Sequence, residues 1–408
     1  MYDNTAIPGK ENPVVQAGAV FCALLMFTVP FSTSISIAMT FLVFACWLLS
    51  SQYRSLTLLT RTNPVVASAL LLCALFLIGT LYADAGAIES LSMLQKYREL
   101  LLIAILVPFM RNEKHRRWVM YAFIGACILT LLGSYLKDFG LLPLSRQGTA
   151  TFKSRITHNI IMALFAYFCV HQAKTNRRWL WLTLGLLAAY NLLVVVQGRT
   201  GQVIFILLMI LFCFQSFSTR RALILTPLLV IFFIGVLNSS GSGERFKEGI
   251  QNSTDYLHGR QDLESSMGQR LYFWQNSINL IIESPLIGYG TGSFNSQFNR
   301  ITGSKFLLTE NPHNEYLMIS VQLGAIGLFA YLFFLACQWR CSFDLPDDRR
   351  WFAQGVVVSL AVNSLLNTTF LDHTEGHWYA SLIALSFASL PRNHRHEPKI
   401  ESRLEDSK

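Results

Sequence analysis

The chain has 408 residues, of which 52% are hydrophobic and only 14% charged, and its mean hydropathy is +0.40. A soluble globular chain carries about a quarter charged residues, so this composition excludes an ordinary soluble domain and puts the protein in the membrane class. The formal net charge of +9 does not indicate nucleic acid, because the basic residues are scattered among loops between apolar runs, where such an excess reports orientation in a membrane.

A lipid-spanning helix needs roughly 17–25 mostly apolar residues. In chain order the twelve candidates are 14–30, 33–50, 65–82, 99–110, 118–136, 156–172, 179–196, 201–216, 222–238, 316–339, 351–371 and 376–390, the fourth and the last being the shortest. The runs are continuous rather than alternating, which favours helices over a barrel. The first run is expected to be retained: Lys10 is its only basic flank and no small-residue cleavage site follows. The expected organisation is nine membrane helices in residues 1–238, a large loop over 239–315, three more helices in 316–390 and a tail at 391–408.

Twelve spans put both termini on one side. With the termini in the cytoplasm, twenty of the 33 Lys and Arg residues fall on that side, mostly in short loops, as the positive-inside bias requires. Trp118, Trp179, Trp339 and Trp351 then sit at cytoplasmic helix ends. Seven of the eight cysteines fall inside spans and Cys341 on the cytoplasmic side, so no structural disulfide is expected.

Two external loops stand out. Residues 239–315 open on the flexible run Ser239-Ser240-Gly241-Ser242-Gly243 and hold a helical stretch around 266–283. There Met267, Leu271, Trp274, Ile278 and Ile281 recur at helical spacing, forming an amphipathic stripe. A glycine-rich turn follows at Gly288-Tyr289-Gly290-Thr291-Gly292, and acidic and basic residues nearly cancel over the loop. The second loop, 137–155, carries Lys137, Arg146, Lys153 and Arg155 against Asp138, a net +3 on the side where positive charge is disfavoured. An anionic ligand or lipid headgroups would account for it. No span carries Asp, Glu, Lys or Arg near its middle, which weighs against a transporter.

Three residues at the outer helix ends are candidates for chemistry. Arg199 lies in Val196-Gln197-Gly198-Arg199-Thr200-Gly201, where two glycines are expected to let the backbone turn sharply and approach a ligand. Its guanidinium suits bidentate phosphate binding, although a snorkelling arginine is the plainer alternative. Arg270 lies on the amphipathic helix one turn before Trp274, at its polar–apolar boundary, where it would face lipid phosphates or a substrate, or else be a plain solvated charge. His313, in Glu310-Asn311-Pro312-His313-Asn314-Glu315, ends the long loop at the start of a span. Imidazole is the side chain whose unperturbed pKa suits proton transfer near neutrality. Glu315 and Asn314 are both placed to orient it.

His313-Asn314 is followed by nine residues and then Gly324-Ala325-Ile326-Gly327. This resembles the His-[Asn/Ser/Gln]-x9-Gly-x-x-Gly motif of the bacterial O-antigen ligases; where the family often continues Thr-Val, this chain has Leu328-Phe329. In a continuous helix the glycines lie roughly 16–21 Å deeper than His313 and allow close helix packing. Arg270-x-x-x-Trp274, the run Pro285-Leu286-Ile287-Gly288-Tyr289-Gly290 and Arg199 ahead of a late long loop are similar to the wider ligase/polymerase superfamily.

The resemblance implies an all-α polytopic, C-type glycosyltransferase-like fold in the inner membrane of a Gram-negative bacterium, with a periplasmic site. It implies transfer of an O-antigen glycan from undecaprenyl diphosphate to a sugar hydroxyl of lipid A-core, inverting and metal-independent, with no cofactor. Arg199 and Arg270 would stabilise the departing diphosphate and His313 would act as general base. Arg146, Lys153, Arg155, Asn314 and Trp274 are the expected substrate-binding residues. The alternatives are an O-antigen polymerase, a protein O-oligosaccharyltransferase, a polyprenyl-glycan transporter and a non-catalytic scaffold.

Overall fold

The helices begin where short polar side chains can take up the orphan N–H groups of a first turn. Asn12, Ser32, Asn63, Asn112, Ser154, Ser265, Asn314 and Asp372 each accept from a backbone N–H two or three residues on in the helix they cap. Pro13 and Pro64 occupy first helical positions, where a missing N–H costs nothing. The structure, a computed structural model, describes residues 12–143, 148–150, 152–174, 177–239, 242–258, 263, 265–303 and 311–390.

Seventeen α-helices and no strand occur among the described residues. They are α1 (Pro13–Thr28), α2 (Thr33–Leu49), α3 (Leu56–Thr62), α4 (Pro64–Gly79), α5 (Ala87–Lys96), α6 (Glu99–Leu106), α7 (Glu113–Asp138), α8 (Arg155–Gln172), α9 (Arg178–Tyr190), α10 (Arg199–Ser216), α11 (Thr219–Ser239), α12 (Ser242–Leu257), α13 (Ser266–Glu283), α14 (Phe294–Thr302), α15 (Glu315–Ser342), α16 (Asp347–Leu366) and α17 (His373–Phe387). Each of the twelve apolar runs is helical. Among the described residues, five helices are long and apolar enough to cross a membrane by themselves: α7, α9 with the π-turn that extends it to Val195, α10, α11 and α15. A sixth arises if α2 and the bent segment 52–62 are one broken span. The protein is an all-α polytopic membrane protein.

The core runs through α1 packed on α2 and α7, α8 on α9 and α10, and α15 on α4 and α16. Phe123, Phe165, Tyr167 and Trp378 are fully buried within it. The outside is apolar too: α11 leaves Leu223, Ile224, Ile231 and Phe232 exposed, as expected of a helix that faces lipid.

The large loop is more ordered than one amphipathic helix. Residues 266–283 are α13, as the stripe indicates, but α12 and α14 flank it. The glycine-rich turn of this segment packs into a break in α15. Gly324 has φ 60° and ψ −155°, a combination essentially confined to glycine. Tyr289 N donates to Val321 O at 3.0 Å, Gly290 N to Gln322 O at 2.8 Å and Ala325 N to Pro285 O at 2.8 Å, so the turn takes up the backbone groups that the break frees. Gly290 has φ 88°, and a Cβ there would lie 2.3 Å from Ala83 Cα.

The continuous-helix estimate for α15 is therefore wrong. A straight helix separates residues 316 and 331 by about 22 Å along its axis, yet the Tyr316 and Tyr331 rings are 5.3 Å apart. A Cβ on Gly327 would come within 3.1 Å of Ile319 Cγ2. The first limb of α15, 315–323, folds back on the second limb, 325–342. Gly324 makes the bend and Gly327 lets the limbs touch, so the pair fixes where His313 stands instead of lying a fixed depth beneath it.

Candidate active site

Three separate stretches meet at one end of the bundle. Arg199 is the first residue of α10, Arg270 lies in the first turns of α13, and His313 precedes α15. All three are half-buried. Arg270 lies close enough to Arg199 for the two charges to repel and to His313 to depress its basicity. Among the described residues neither arginine has an ion-pair partner, and the acidic side chain that lines their cleft is Glu248.

Two clefts share this pair. One of about 330 Å³ is lined by Arg155, Gln197, Glu248, Asn252, Ser266 and both arginines. The other, about 290 Å³, joins Arg199 and Arg270 to the apolar side chains of Val203, Ile250, Met267 and Leu366. Two clefts that share two guanidiniums, the first with more polar lining groups than the second, suit an amphiphile with an anionic centre. Helix α12 forms part of both walls, and its Gly249 leaves room for Arg199: a Cβ there would lie 2.7 Å from Nη1.

The glycines beside Arg199 serve a different purpose from the expected one. Gly198 has φ −144°, and neither it nor Gly201 adopts a left-handed conformation. A Cβ at Gly198 would lie 2.4 Å from Asn159 Nδ2, and one at Gly201 2.8 Å from Asn159 C. They let α10 start hard against α8, where Asn159 Nδ2 donates to Val196 O at 2.7 Å. The close approach is to the protein itself, and it sets the position of Arg199.

His313 has φ 51°, in the left-handed region where histidine is enriched among non-glycine residues. Its N–H donates to Asn311 Oδ1 at 2.9 Å, a local Asx turn. Trp274 Nε1 donates to Pro312 O at 3.0 Å, and Phe273 lies 6.3 Å from the imidazole, centroid to centroid. Helix α13 thus carries Arg270 and also braces the histidine loop. Burial first, then the Arg270 charge, hold the His313 imidazole below its usual pKa, so it is neutral at pH 7 and able to accept a proton.

The remaining expected residues divide. Arg155 lines the polar cleft. Lys153 does not: its Nζ donates to Thr33 Oγ1 at 2.6 Å, at the start of α2. Arg146 lies outside the described residues, as do the tail 391–408, Glu310 and the middle of the Ser239–Gly243 run. Asn314 is committed to the fold, since Oδ1 caps α15 through Leu317 N at 3.0 Å and Nδ2 donates to Leu365 O at 3.1 Å. Glu315 does not orient His313. It is fully buried, accepting from Tyr97 Oη at 2.8 Å and Phe370 N at 3.1 Å. His158, another outer-end residue, is bound to Asn191 Oδ1 at 2.8 Å inside the bundle.

The sequence reading passed over a polar cluster between α16 and α17, where Asn363 Nδ2 donates to Glu375 Oε2 at 2.9 Å. Asn367 Nδ2 also donates to Glu375 Oε2 at 2.9 Å. The signal was present in the polar run Asn367-Thr368-Thr369 and Asp372-His373-Thr374-Glu375 between two apolar helices, an expensive place for such residues.

A family model described as O-antigen ligase matches residues 184–332. That stretch begins in α9, ends in α15, and contains Arg199, Arg270 and His313. Residues 184–332 are thus similar to the O-antigen ligase family. A Haemophilus influenzae protein described as uncharacterized is 22% identical over 255 residues, 58% of this chain and 62% of that protein. Two proteins provisionally named polysaccharide ligases align over 76 residues: one from Rickettsia conorii at 37% identity, 17% of this chain and 18% of its own length, and one from Rickettsia felis at 36%, 17% and 19%. The chain thus spans under two thirds of the first relative and under a fifth of the other two. Outside the matched stretch lies Arg155, so α8 supplies part of the cleft wall.

Proposed function

We propose that the protein transfers an O-antigen glycan from undecaprenyl diphosphate to a sugar hydroxyl of lipid A-core, at the periplasmic face of a Gram-negative inner membrane. The observation that carries this reading is an arginine pair shared by two adjoining clefts, with the neutral His313 imidazole close enough to Arg270 to feel its charge.

In the proposed reaction the acceptor oxygen attacks the anomeric carbon as its proton passes to His313. The bond from that carbon to the phosphate oxygen breaks, and the diphosphate leaves carrying the electron pair. Charge grows on the bridging oxygen, and preorganised guanidiniums of Arg199 and Arg270 stabilise it without a metal or other cofactor. A single displacement inverts the anomeric centre. Arg155 adds positive charge at the polar wall, and the apolar cleft accommodates the first isoprene units beside the diphosphate. Lys153, held by Thr33 at the start of α2, lines neither cleft of the arginine pair.

The test is reconstitution. Purified protein, lipid-linked O-antigen and lipid A-core are incubated in detergent, and products are resolved by size. Glycan appearing on lipid A-core supports the reading. Longer lipid-linked glycan formed without the acceptor would assign a polymerase instead, and transfer to a Ser or Thr of an added protein an O-oligosaccharyltransferase.

A further inference from the structure

We propose that the place of Arg199 in its two clefts is set by a clamp on the turn between α9 and α10, and that Asn159 and Gln202 are the positioning residues of that clamp. The proposal rests on the reading of Arg199 as a stabiliser of the departing diphosphate and adds to it what holds the guanidinium in place.

A helix end leaves its last carbonyls without intrahelical donors, and buried ones must find others. Helix α9 ends in a π-turn, closed by Val196 N donating to Asn191 O at 2.7 Å. The carbonyls from Leu192 to Val196 each accept from a side chain. Gln202 Nε2 donates to Leu192 O at 3.3 Å and to Leu193 O at 3.5 Å. Gln197 Nε2 donates to Val194 O at 3.4 Å, Thr149 Oγ1 to Val195 O at 3.0 Å and Asn159 Nδ2 to Val196 O at 2.7 Å. The grip comes from separate parts of the chain: Gln202 from the first turn of α10, Asn159 from α8 and Thr149 from the loop before α8. That loop is itself fastened to α7, where Lys137 Nζ donates to Ala150 O at 3.0 Å.

Only Gln197 and Gly198 separate the clamped Val196 from Arg199, and Gly198 is extended, with φ −144°. The root of the arginine side chain therefore follows the turn. Its far end has no slack, because a Cβ on Gly249 of α12 would lie 2.7 Å from Arg199 Nη1. A retreat of the turn draws the guanidinium out of the clefts that it shares with Arg270, and an advance drives it into α12. Asn159 is fully buried, and its Oδ1 has no hydrogen-bond partner among the described residues. A buried amide with its acceptor unused is unfavourable, yet its donor is engaged on the turn. Gln202 is 1% exposed and reaches back from α10 to the end of α9. Both amides hold backbone, and neither lines either cleft. They act on a ligand only through Arg199.

The experiment uses full-length protein in detergent. Asn159→Leu and Gln202→Met, each close to its parent in size but unable to donate, are made in two backgrounds, wild type and Arg199→Ala. The readouts are calorimetric binding of farnesyl diphosphate, which needs no glycan, and the kcat of glycan transfer. With Arg199 present, each substitution should weaken farnesyl diphosphate binding several-fold and lower kcat about tenfold to 100-fold, as a misplacement of up to about 1 Å does. With Arg199→Ala already in place, each should change either readout by less than about twofold, because the group being positioned is gone. A side chain that serves stability alone would lower both readouts by the same factor in both backgrounds. That result, or no loss with Arg199 present, would overturn the proposal. If Asn159→Leu does not fold, Gln202→Met, which leaves Asn159 on Val196 O, decides the comparison. Coupled loss of diphosphate binding in a protein that transfers no glycan, wild type included, would leave the clamp standing and defeat the ligase reading. A wild type that neither binds the diphosphate nor transfers glycan would defeat both.

Discussion

Replacing Gly324 with alanine should cost stability and nearly all activity, through the bend in α15. At φ 60° and ψ −155° an L-residue is strained by about 1–3 kcal/mol. Its Cβ would lie 2.3 Å from Leu286 C, 2.4 Å from Leu286 O and 2.5 Å from Ile287 N. All three are backbone atoms, so no side chain can swing away. Relief requires the 285–287 segment to retreat, and that breaks the bonds from Ala325 N to Pro285 O and from Ile326 N to Leu286 O. Two such bonds contribute about 1–3 kcal/mol together, giving a loss of about 2–6 kcal/mol in all. The first limb of α15 would also shift and take His313 with it; a displacement near 1 Å costs about 100-fold in rate. Thermal unfolding in detergent, followed by tryptophan fluorescence, measures the first effect and glycan transfer the second. Gly235→Ala is the control, since nothing lies within 4 Å of a Cβ there. A Gly324→Ala protein that melts and turns over like the wild type would refute the folded-back geometry.

His313→Gln removes the base but keeps a polar side chain, and transfer should drop about 100-fold to 10,000-fold while the protein still purifies as a monodisperse species; ladders of normal intensity from cells carrying it would dismiss the base assignment. Arg199→Ala and Arg270→Ala should each lower kcat about 100-fold or more, and since both act on one leaving group, the double variant should be far less than the product of the two. Trp274→Phe keeps the ring but loses the 3.0 Å bond to Pro312 O, which should loosen the histidine loop by about 0.5–1.5 kcal/mol, read as faster hydrogen exchange of the His313 amide.

How far the chain's residues reveal this arrangement depends on the kind of feature. Apolar length places helices well, because lipid enforces it, and all twelve runs are helical. The loop helix α13 was visible because Met267 and Trp274 recur with its period. The reversal at Gly324 was not, since glycine is common in straight membrane helices and only contact with 285–290 shows which kind this is. Long-range pairing also hid the real partners. Glu315 is two residues from His313 in sequence yet bonds Tyr97, 218 residues away, whereas Trp274, 39 positions from the histidine, braces its loop through Pro312 O. Lys153 and Arg155 are two residues apart, but Arg155 begins α8 and lines the cleft, while Lys153 precedes the cap and reaches α2.

The nearness of Arg270 to His313 ties leaving-group binding to the strength of the base, and this has a measurable sign. In the empty protein, burial and the Arg270 charge keep the His313 pKa below 6.5. The neutral form that accepts a proton is thus present at pH 7 and is lost as pH falls through that lowered value. A bound diphosphate between the arginines brings negative charge that offsets Arg270 and favours the imidazolium, so the pKa rises and the ring becomes a stronger base when the acceptor is to be deprotonated. The acid limb of kcat/KM reports free enzyme and that of kcat the complex. The limb of kcat/KM should therefore lie below pH 6.5 and the limb of kcat at higher pH. In Arg270→Gln the free-enzyme limb should move up, toward the kcat limb, because the charge being offset is gone. Coincident limbs in the wild type, or a free-enzyme limb that stays put in Arg270→Gln, would show that the guanidinium and the imidazole act independently.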